Sequence, residues 1–78
     1  MSFAVKLNMH LKLGSGGSVY VRELTDYPGI IVTDVRPTAK DKVQRVIEWS
    51  GREYKTIAEA VEDYKEKQNE NQTSQNQR

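Results

Sequence analysis

Residues 2–13, SFAVKLNMHLKL, decide how we interpret this chain, because apolar and polar side chains alternate through the whole segment. Such alternation predicts a β-strand with one face on a core and the other in water. The apolar set is Phe3, Val5, Leu7, Met9, Leu11 and Leu13, and the polar set is Lys6, Asn8, His10 and Lys12. We therefore expect the apolar set to pack against a second layer of the fold.

A glycine-rich loop, residues 14–17, follows this strand and predicts a hairpin, because its three glycines can adopt positive φ. A phosphate-binding loop is the weaker interpretation, since no helical pattern follows and no Lys-Ser or Lys-Thr pair closes the loop. The second strand is predicted over residues 18–24. Matching the apolar faces predicts four pairs: Leu13 with Val19, Leu11 with Val21, Lys12 with Tyr20 and His10 with Arg22.

The segment Tyr27-Pro28-Gly29 predicts a type II turn. Proline presets φ near about −65° at the second turn position, and glycine accepts the positive φ of the third. The β-branched run that follows, residues 30–35, predicts a central strand that is covered on both faces over part of its length. Arg36-Pro37 is expected to end this strand.

The segment Thr38–Trp49 fits two patterns. As a helix it offers Thr38 as N-cap and an apolar stripe of Ala39, Val43, Val46 and Ile47. As a strand it places Val43, Arg45, Ile47 and Trp49 on one face. We favour the strand because Ser50-Gly51 can form a two-residue hairpin loop. That loop pairs Trp49 with Arg52 and Ile47 with Tyr54, although it also sets Glu48 against Glu53.

An amphipathic helix is predicted from Thr56, because Thr56 and Glu59 form a capping box. Ile57, Ala60, Val61 and Tyr64 recur on one face of this helix. Residues 69–78 contain no apolar side chain and are expected to form a disordered polar tail. The predicted fold is a single α+β domain over residues 1–68. It has an antiparallel β-sheet of four to five strands, an N-terminal hairpin plus a meander, with the C-terminal helix packed on one face.

The composition argues against an enzyme and against a metal or cofactor site. A chain of 78 residues has little room for a deep pocket, and it contains no cysteine and a single histidine. The helix acids Glu59, Glu62, Asp63 and Glu66 suit capping and a solvated face better than paired-carboxylate catalysis. We therefore expect no catalytic, metal-binding or cofactor-binding residues. With neither a leader pattern nor a spanning apolar run, we expect a cytoplasmic protein without membrane contact.

Two kinds of partner remain. The first strand or the last is expected to leave an unpaired sheet edge, and association through a sheet edge or face would join the chain to another protein or to a second copy of itself. We expect a small non-enzymatic interaction or regulatory module, of a size that suits a bacterial or phage accessory protein. The alternative is single-stranded nucleic acid, bound by cations and an aromatic ring on the outer face of the hairpin. That candidate binding face comprises Lys6, His10, Lys12, Tyr20 and Arg22.

Overall fold

The computed structural model of the chain describes residues 3–76, and the side chains of residues 3–68. Its elements are β1 (Val5–Lys12), β2 (Gly16–Leu24), β3 (Ile31–Thr38), β4 (Gln44–Trp49), β5 (Arg52–Tyr54) and α1 (Ile57–Asn76). The five strands form one antiparallel sheet in the order β1-β2-β3-β4-β5, so β1 and β5 are its edges. The helix packs on the sheet through β4 and β5, and the predicted α+β fold is confirmed.

Two of the predicted turns have the expected geometry. The Ile30 N–H donates a hydrogen bond of 3.2 Å to the Tyr27 carbonyl, and Gly29 has φ 97°, as a type II turn requires. Ser50 and Gly51 have φ 55° and 76°, the pair of positive values that defines a type I′ hairpin loop. The second loop pairs β4 with β5 in the predicted register, so β4 is a strand from Gln44 onward.

The predicted register of the first hairpin is wrong by two residues. Leu11 pairs with Val19 instead of Val21, and His10 pairs with Tyr20 instead of Arg22. The hairpin closes with a three-residue loop. The Leu13 N–H donates a hydrogen bond of 2.9 Å to the Gly17 carbonyl, the Gly16 N–H donates one of 3.0 Å to the Leu13 carbonyl, and Gly16 takes a positive φ of 92°. This is the turn-plus-bulge geometry of three-residue hairpin loops. The loop is shorter than predicted, so Lys12 pairs with Ser18, where the apolar pattern predicted Lys12 with Tyr20.

A β-bulge interrupts β1 at Asn8. Leu7 pairs with Arg22 and Met9 pairs with Val21, so two steps along β1 correspond to one step along β2. Because successive residues of a strand point to opposite faces, the extra residue moves every later side chain of β1 to the other face. The alternating apolar set is therefore divided between the two faces of the sheet. Val5 and Leu7 lie on one face, and Met9 and Leu11 lie on the other.

The core forms over the other half of the sheet. Phe3 packs against it, but the prediction that the helix covers the apolar set is wrong for Val5, Leu7, Met9 and Leu11. The buried apolar residues are Leu24, Ile30, Val32, Ile47, Ala60 and Val61. The connection from β5 to α1 is only two residues long, so the helix returns across β5 and β4. The side chains of Val5, Leu7, Met9 and Leu11 stay 42–56 % exposed. β3 is central as predicted, but the helix covers only one of its faces.

The helix begins as the sequence predicts. The Glu59 N–H donates a hydrogen bond of 3.2 Å to the Thr56 hydroxyl, and the Glu59 carboxylate accepts one of 3.3 Å from the Lys55 N–H. Its buried face carries Ala60 and Val61, with Ile57 and Tyr64 partly buried beside them. The helix continues to Asn76. The predicted polar tail, residues 69–78, lies outside the residues whose side chains are described, and its disorder stays a prediction.

Candidate functional site

The sheet has two faces of different chemistry, and the cross-strand register shows which side chains share each face. Paired residues of an antiparallel sheet point to the same side. One face carries α1 over its β4 and β5 end, and we call it the helix-bearing face. Within residues 3–68, no element lies over the opposite face, because the only structure outside the sheet is the helix and the connecting loops.

The opposite face is aliphatic, and we call it the aliphatic face. Two cross-strand rows form it: Leu11, Val19 and Val35, and then Met9, Val21, Thr33 and Val46, with Ile31 in the next row. Met9 and Leu11 are exposed, and the other members are half-buried by their neighbours in the sheet. The rows span four strands, which at about 4.8 Å per strand gives roughly 300–400 Å² of apolar surface. Patches of this size on a monomer are often binding sites.

Carboxylates border the aliphatic face at one end. Glu23 pairs with Ile31, Ile31 with Glu48, and Glu48 with Glu53. The Glu23 carboxylate accepts hydrogen bonds of 3.0 Å from the Asn8 amide and 2.9 Å from the Gly29 N–H, and these two bonds lower its pKa. Among the described residues, no ion pair reaches Glu48 or Glu53. Like charges directly opposite each other destabilise a sheet, so a cationic group on a partner would reduce the repulsion between Glu48 and Glu53.

Four of the five predicted binding residues lie together on the helix-bearing face, at the end that the helix leaves open. His10 pairs with Tyr20, Lys12 pairs with Ser18, and Arg22 lies two residues from Tyr20 on β2. Lys6 does not join them, and its inclusion is corrected. The bulge at Asn8 places Lys6 on the aliphatic face, where its ammonium lies 3.9 Å from the Glu23 carboxylate.

A buried carboxylate in β3 organises this end of the helix-bearing face. Asp34 is 6 % exposed. It accepts a hydrogen bond of 2.7 Å from Arg22, and bonds of 2.8 and 3.1 Å from Arg45. The hydrogen bonds to Asp34 raise the pKa of the Arg45 guanidinium above its ordinary value.

Arg36 also belongs to this surface, because it pairs with Ser18. Asp34, Arg36 and Arg45 are not among the binding residues that the sequence predicts. Asp34 had a detectable signal, since a lone acid inside a β-branched run requires a cation on a neighbouring strand. We call His10, Lys12, Tyr20, Arg22, Arg36 and Arg45, with Asp34 among them, the cationic face.

The rings of His10 and Tyr20 stack across β1 and β2. Their centroids are 4.2 Å apart and their planes differ by 7°. The Arg22 guanidinium carbon lies 5.0 Å from the centre of the Tyr20 ring, which is cation–π distance. Because β1 is an edge strand, the ring face of His10 that turns away from Tyr20 has no strand beside it.

Other kinds of site find little support in the described part of the chain. No group of three or more His, Asp or Glu side chains is placed to hold a metal ion there. The helix is too polar and carries too many charges to cross a bilayer. The aliphatic and cationic faces are therefore the two surfaces from which a function can be argued. No protein-family model, no curated protein and no solved structure matches this chain.

Proposed function

We propose that this protein is a small non-enzymatic interaction module that binds a protein partner through its aliphatic face. The observation that carries the proposal is the second face of the sheet, where aliphatic side chains of four strands meet and no element formed by residues 3–68 covers them. Burying roughly 300–400 Å² of apolar surface would contribute about 8–10 kcal/mol before the cost of association is subtracted. This gain is similar in size to the cost of association, about 4–15 kcal/mol, so the affinity depends on how well a partner also matches the shape and charge of the face.

The face supports this function better than the sheet edge does. The edge strand β1 carries Lys6 and Lys12 and is interrupted by the bulge at Asn8. Both features oppose the addition of another strand, because lysine charges and bulges are devices that protect edges from pairing. The other edge, β5, is only three residues long. A partner therefore gains more from covering the aliphatic face than from extending the sheet.

The area of the aliphatic face and the carboxylates at its border indicate what kind of surface a partner would place on it. A stable dimer commonly buries about 800 Å² on each subunit, which is about twice the aliphatic area available here. One amphipathic helix of about three to four turns, roughly 10 Å wide and about 16–22 Å long, covers about half of this area. The carboxylates of Glu23, Glu48 and Glu53 favour lysine or arginine beside the apolar stripe of that helix.

Two substitutions in one strand test the proposal. Leu11 and Leu7 are 49 % and 56 % exposed, but Leu11 lies on the aliphatic face and Leu7 on the helix-bearing face. Proteins captured from the native host by the wild-type chain are purified and their binding is measured against Leu11→Lys and Leu7→Lys. We expect Leu11→Lys to weaken binding at least tenfold, since a charge is buried in the contact, and Leu7→Lys to leave it unchanged. Equal binding by both variants contradicts the proposal.

The oligomeric state is measured on the same three proteins. Sedimentation equilibrium that shows a dimer of the wild type and of Leu7→Lys, but a monomer of Leu11→Lys, identifies a second copy of the chain as the partner. A monomer in all three cases leaves the binding of a different protein as the function of the face. A dimer that persists in Leu11→Lys places self-association elsewhere and argues against the aliphatic face.

A further inference from the structure

The cationic face differs from the rest of the sheet in the sign of its charge. It gathers Lys12, Arg22, Arg36 and Arg45 from four neighbouring strands, and Asp34 is the single acid among them. The net charge of this cluster is +3 with His10 neutral, although the whole chain carries only +1. The bordering acids Glu23, Glu48 and Glu53 lie on the opposite face. Among the strand residues, this cationic cluster and these three acids therefore lie on opposite faces of the sheet, which favours a positive potential at the end of the helix-bearing face that α1 leaves open.

The Asp34 carboxylate fixes the orientation of the two arginine side chains beside it. Its carboxylate holds Arg22 and Arg45, yet the side chains of these arginines remain 32 % and 54 % exposed. A guanidinium has five N–H donors, so three hydrogen bonds to Asp34 leave donors on both arginines that point to solvent. One carboxylate cannot neutralise two guanidiniums. The pair therefore presents positive charge in a fixed position, which is how phosphate groups are recognised.

The ring pair adds a flat apolar surface to these charges. The stacked rings of His10 and Tyr20 stand between Lys12 on one side and Arg22 on the other along the strands. Two shallow depressions of about 140 and 330 Å³ adjoin the rings and share Ser18 and Tyr20 in their walls. A planar ring can stack on the outer face of His10, beyond the edge strand, while its attached anion reaches Lys12.

We infer that the cationic face binds single-stranded nucleic acid, with a base stacked on the His10 and Tyr20 ring pair and phosphates bound by Lys12, Arg22, Arg36 and Arg45. The single strand is favoured over a duplex because the ring surface requires an unpaired base. The residues that bind differ from the sequence-based set, since Lys6 is on the wrong face and the arginines of β3 and β4 are added. This binding is independent of the partner proposed for the aliphatic face.

Fluorescence anisotropy with a labelled oligothymidine and a labelled oligouridine of about 12 nucleotides tests the inference. At low salt we expect binding that weakens as salt rises. For three to four phosphate contacts, the slope of log K against log salt is about −2 to −3. Absence of binding at low salt overturns the inference. Equal affinity for a duplex of the same length, or equal competition by a base-free polyphosphate, overturns it too, because neither ligand offers an unpaired base.

Two lysines of β1 form a matched pair for this experiment, since the bulge places Lys12 on the cationic face and Lys6 on the opposite one. Lys12→Gln and Arg36→Gln are expected to weaken binding roughly three- to tenfold each and to make the salt slope shallower by about 0.7. Lys6→Gln, which removes the same charge from the same strand, is expected to change neither quantity. Equal losses in Lys12→Gln and Lys6→Gln would show that only net charge matters and would overturn the inference.

The stacking part has its own variant. His10 is exposed on the edge strand, so we expect His10→Ala to leave the fold intact. We expect it to weaken binding at least about fivefold, with the salt slope unchanged, because stacking releases no counterions. An unchanged affinity of His10→Ala contradicts the base-stacking role. Urea unfolding of each variant confirms that the compared proteins are folded.

Discussion

Leu7 and Met9 lie on opposite faces of the sheet, although only Asn8 separates them in β1. Their partners, Arg22 and Val21, are consecutive residues of β2, so the side chain of Asn8 has no cross-strand counterpart. The Asn8 amide donates a hydrogen bond of 3.0 Å to the Glu23 carboxylate, which fixes the extra residue in place. A bulge that redirects the side chains of an edge strand is a known structural device. Here it supplies Met9 and Leu11 to the aliphatic face and His10 and Lys12 to the cationic face.

The exposure of β1 predicts that alanine substitutions at Leu11 and at Ile47 lower the free energy of unfolding by different amounts. Leu11→Ala is expected to lower the free energy of unfolding by less than about 1 kcal/mol, because Leu11 is 49 % exposed. Ile47→Ala is expected to lower it by about 2–4 kcal/mol, because Ile47 is 2 % exposed in the core. Urea unfolding of both variants measures the two losses. A loss at Leu11 as large as that at Ile47 would mean that the apolar set of β1 is buried.

Local chemistry made much of the fold predictable from the sequence. The turn at Pro28 and Gly29 and the capping box at Thr56 and Glu59 are set by backbone preferences of single residues, and both were found. The β4–β5 hairpin followed from the loop at Ser50 and Gly51 in the same way.

The first hairpin was less predictable because its outcome depends on contacts between strands. The apolar alternation from Phe3 to Leu13 contains no local signal for a bulge, since Asn8 fits the polar positions as well as Lys6 or His10 does. The hydrogen bond from Asn8 to Glu23 joins two strands, so it forms only after β1 and β2 have come together and leaves no trace in the local sequence. Because the bulge could not be predicted, Lys6 was assigned to the same face as His10 and Lys12. Arg36 and Arg45 were not included, because the register of β3 against its neighbouring strands could not be predicted from the sequence.

The ion pairs around Asp34 predict a loss of stability when its charge is removed. Asp34→Asn leaves Arg22 and Arg45 close together without the carboxylate that binds both of them. We expect the free energy of unfolding to fall by about 1–3 kcal/mol, less than for a fully buried pair, because both arginines keep contact with water. Asp26→Asn, at an exposed position, is the control and is expected to change stability by less than about 0.5 kcal/mol. Equal losses in the two variants would contradict the role of Asp34.

The first loop offers a matched pair of glycine substitutions. A Cβ at Gly17 would overlap the carbonyl oxygen of Arg36 and the carbonyl group of Pro37 on β3, so Gly17→Ala must push two strands apart. A Cβ at Gly14 would meet nothing within 4 Å. Gly17→Ala is expected to lower the free energy of unfolding by about 2–3 kcal/mol, and Gly14→Ala to change it by less than about 1 kcal/mol. Thermal or urea unfolding separates the two outcomes, and a tolerated alanine at Gly17 would contradict the close approach of β2 to β3.

Glu23 predicts how stability depends on pH. The hydrogen bond from Asn8, followed by that from the Gly29 N–H, lowers the pKa of the carboxyl group below its ordinary value of 4.5, and Lys6 adds a weaker effect. The unfolded chain therefore binds a proton at Glu23 more readily than the folded chain does. The stabilisation by Glu23 is complete above pH 4.5 and is lost as the pH falls through the lowered pKa of the folded state.

Glu23→Gln removes this contribution and shows its pH range. We expect the variant to be less stable than the wild type near neutral pH, and the difference to shrink as the pH is lowered from about 5 to about 3. Asn8→Ala, which keeps the bond from Gly29, is expected to give a smaller difference with the same pH dependence. Urea midpoints measured across this pH range compare the three proteins. Curves for Glu23→Gln and the wild type that stay parallel would show that Glu23 does not anchor the bulge, and that Asn8 is held in β1 by other contacts.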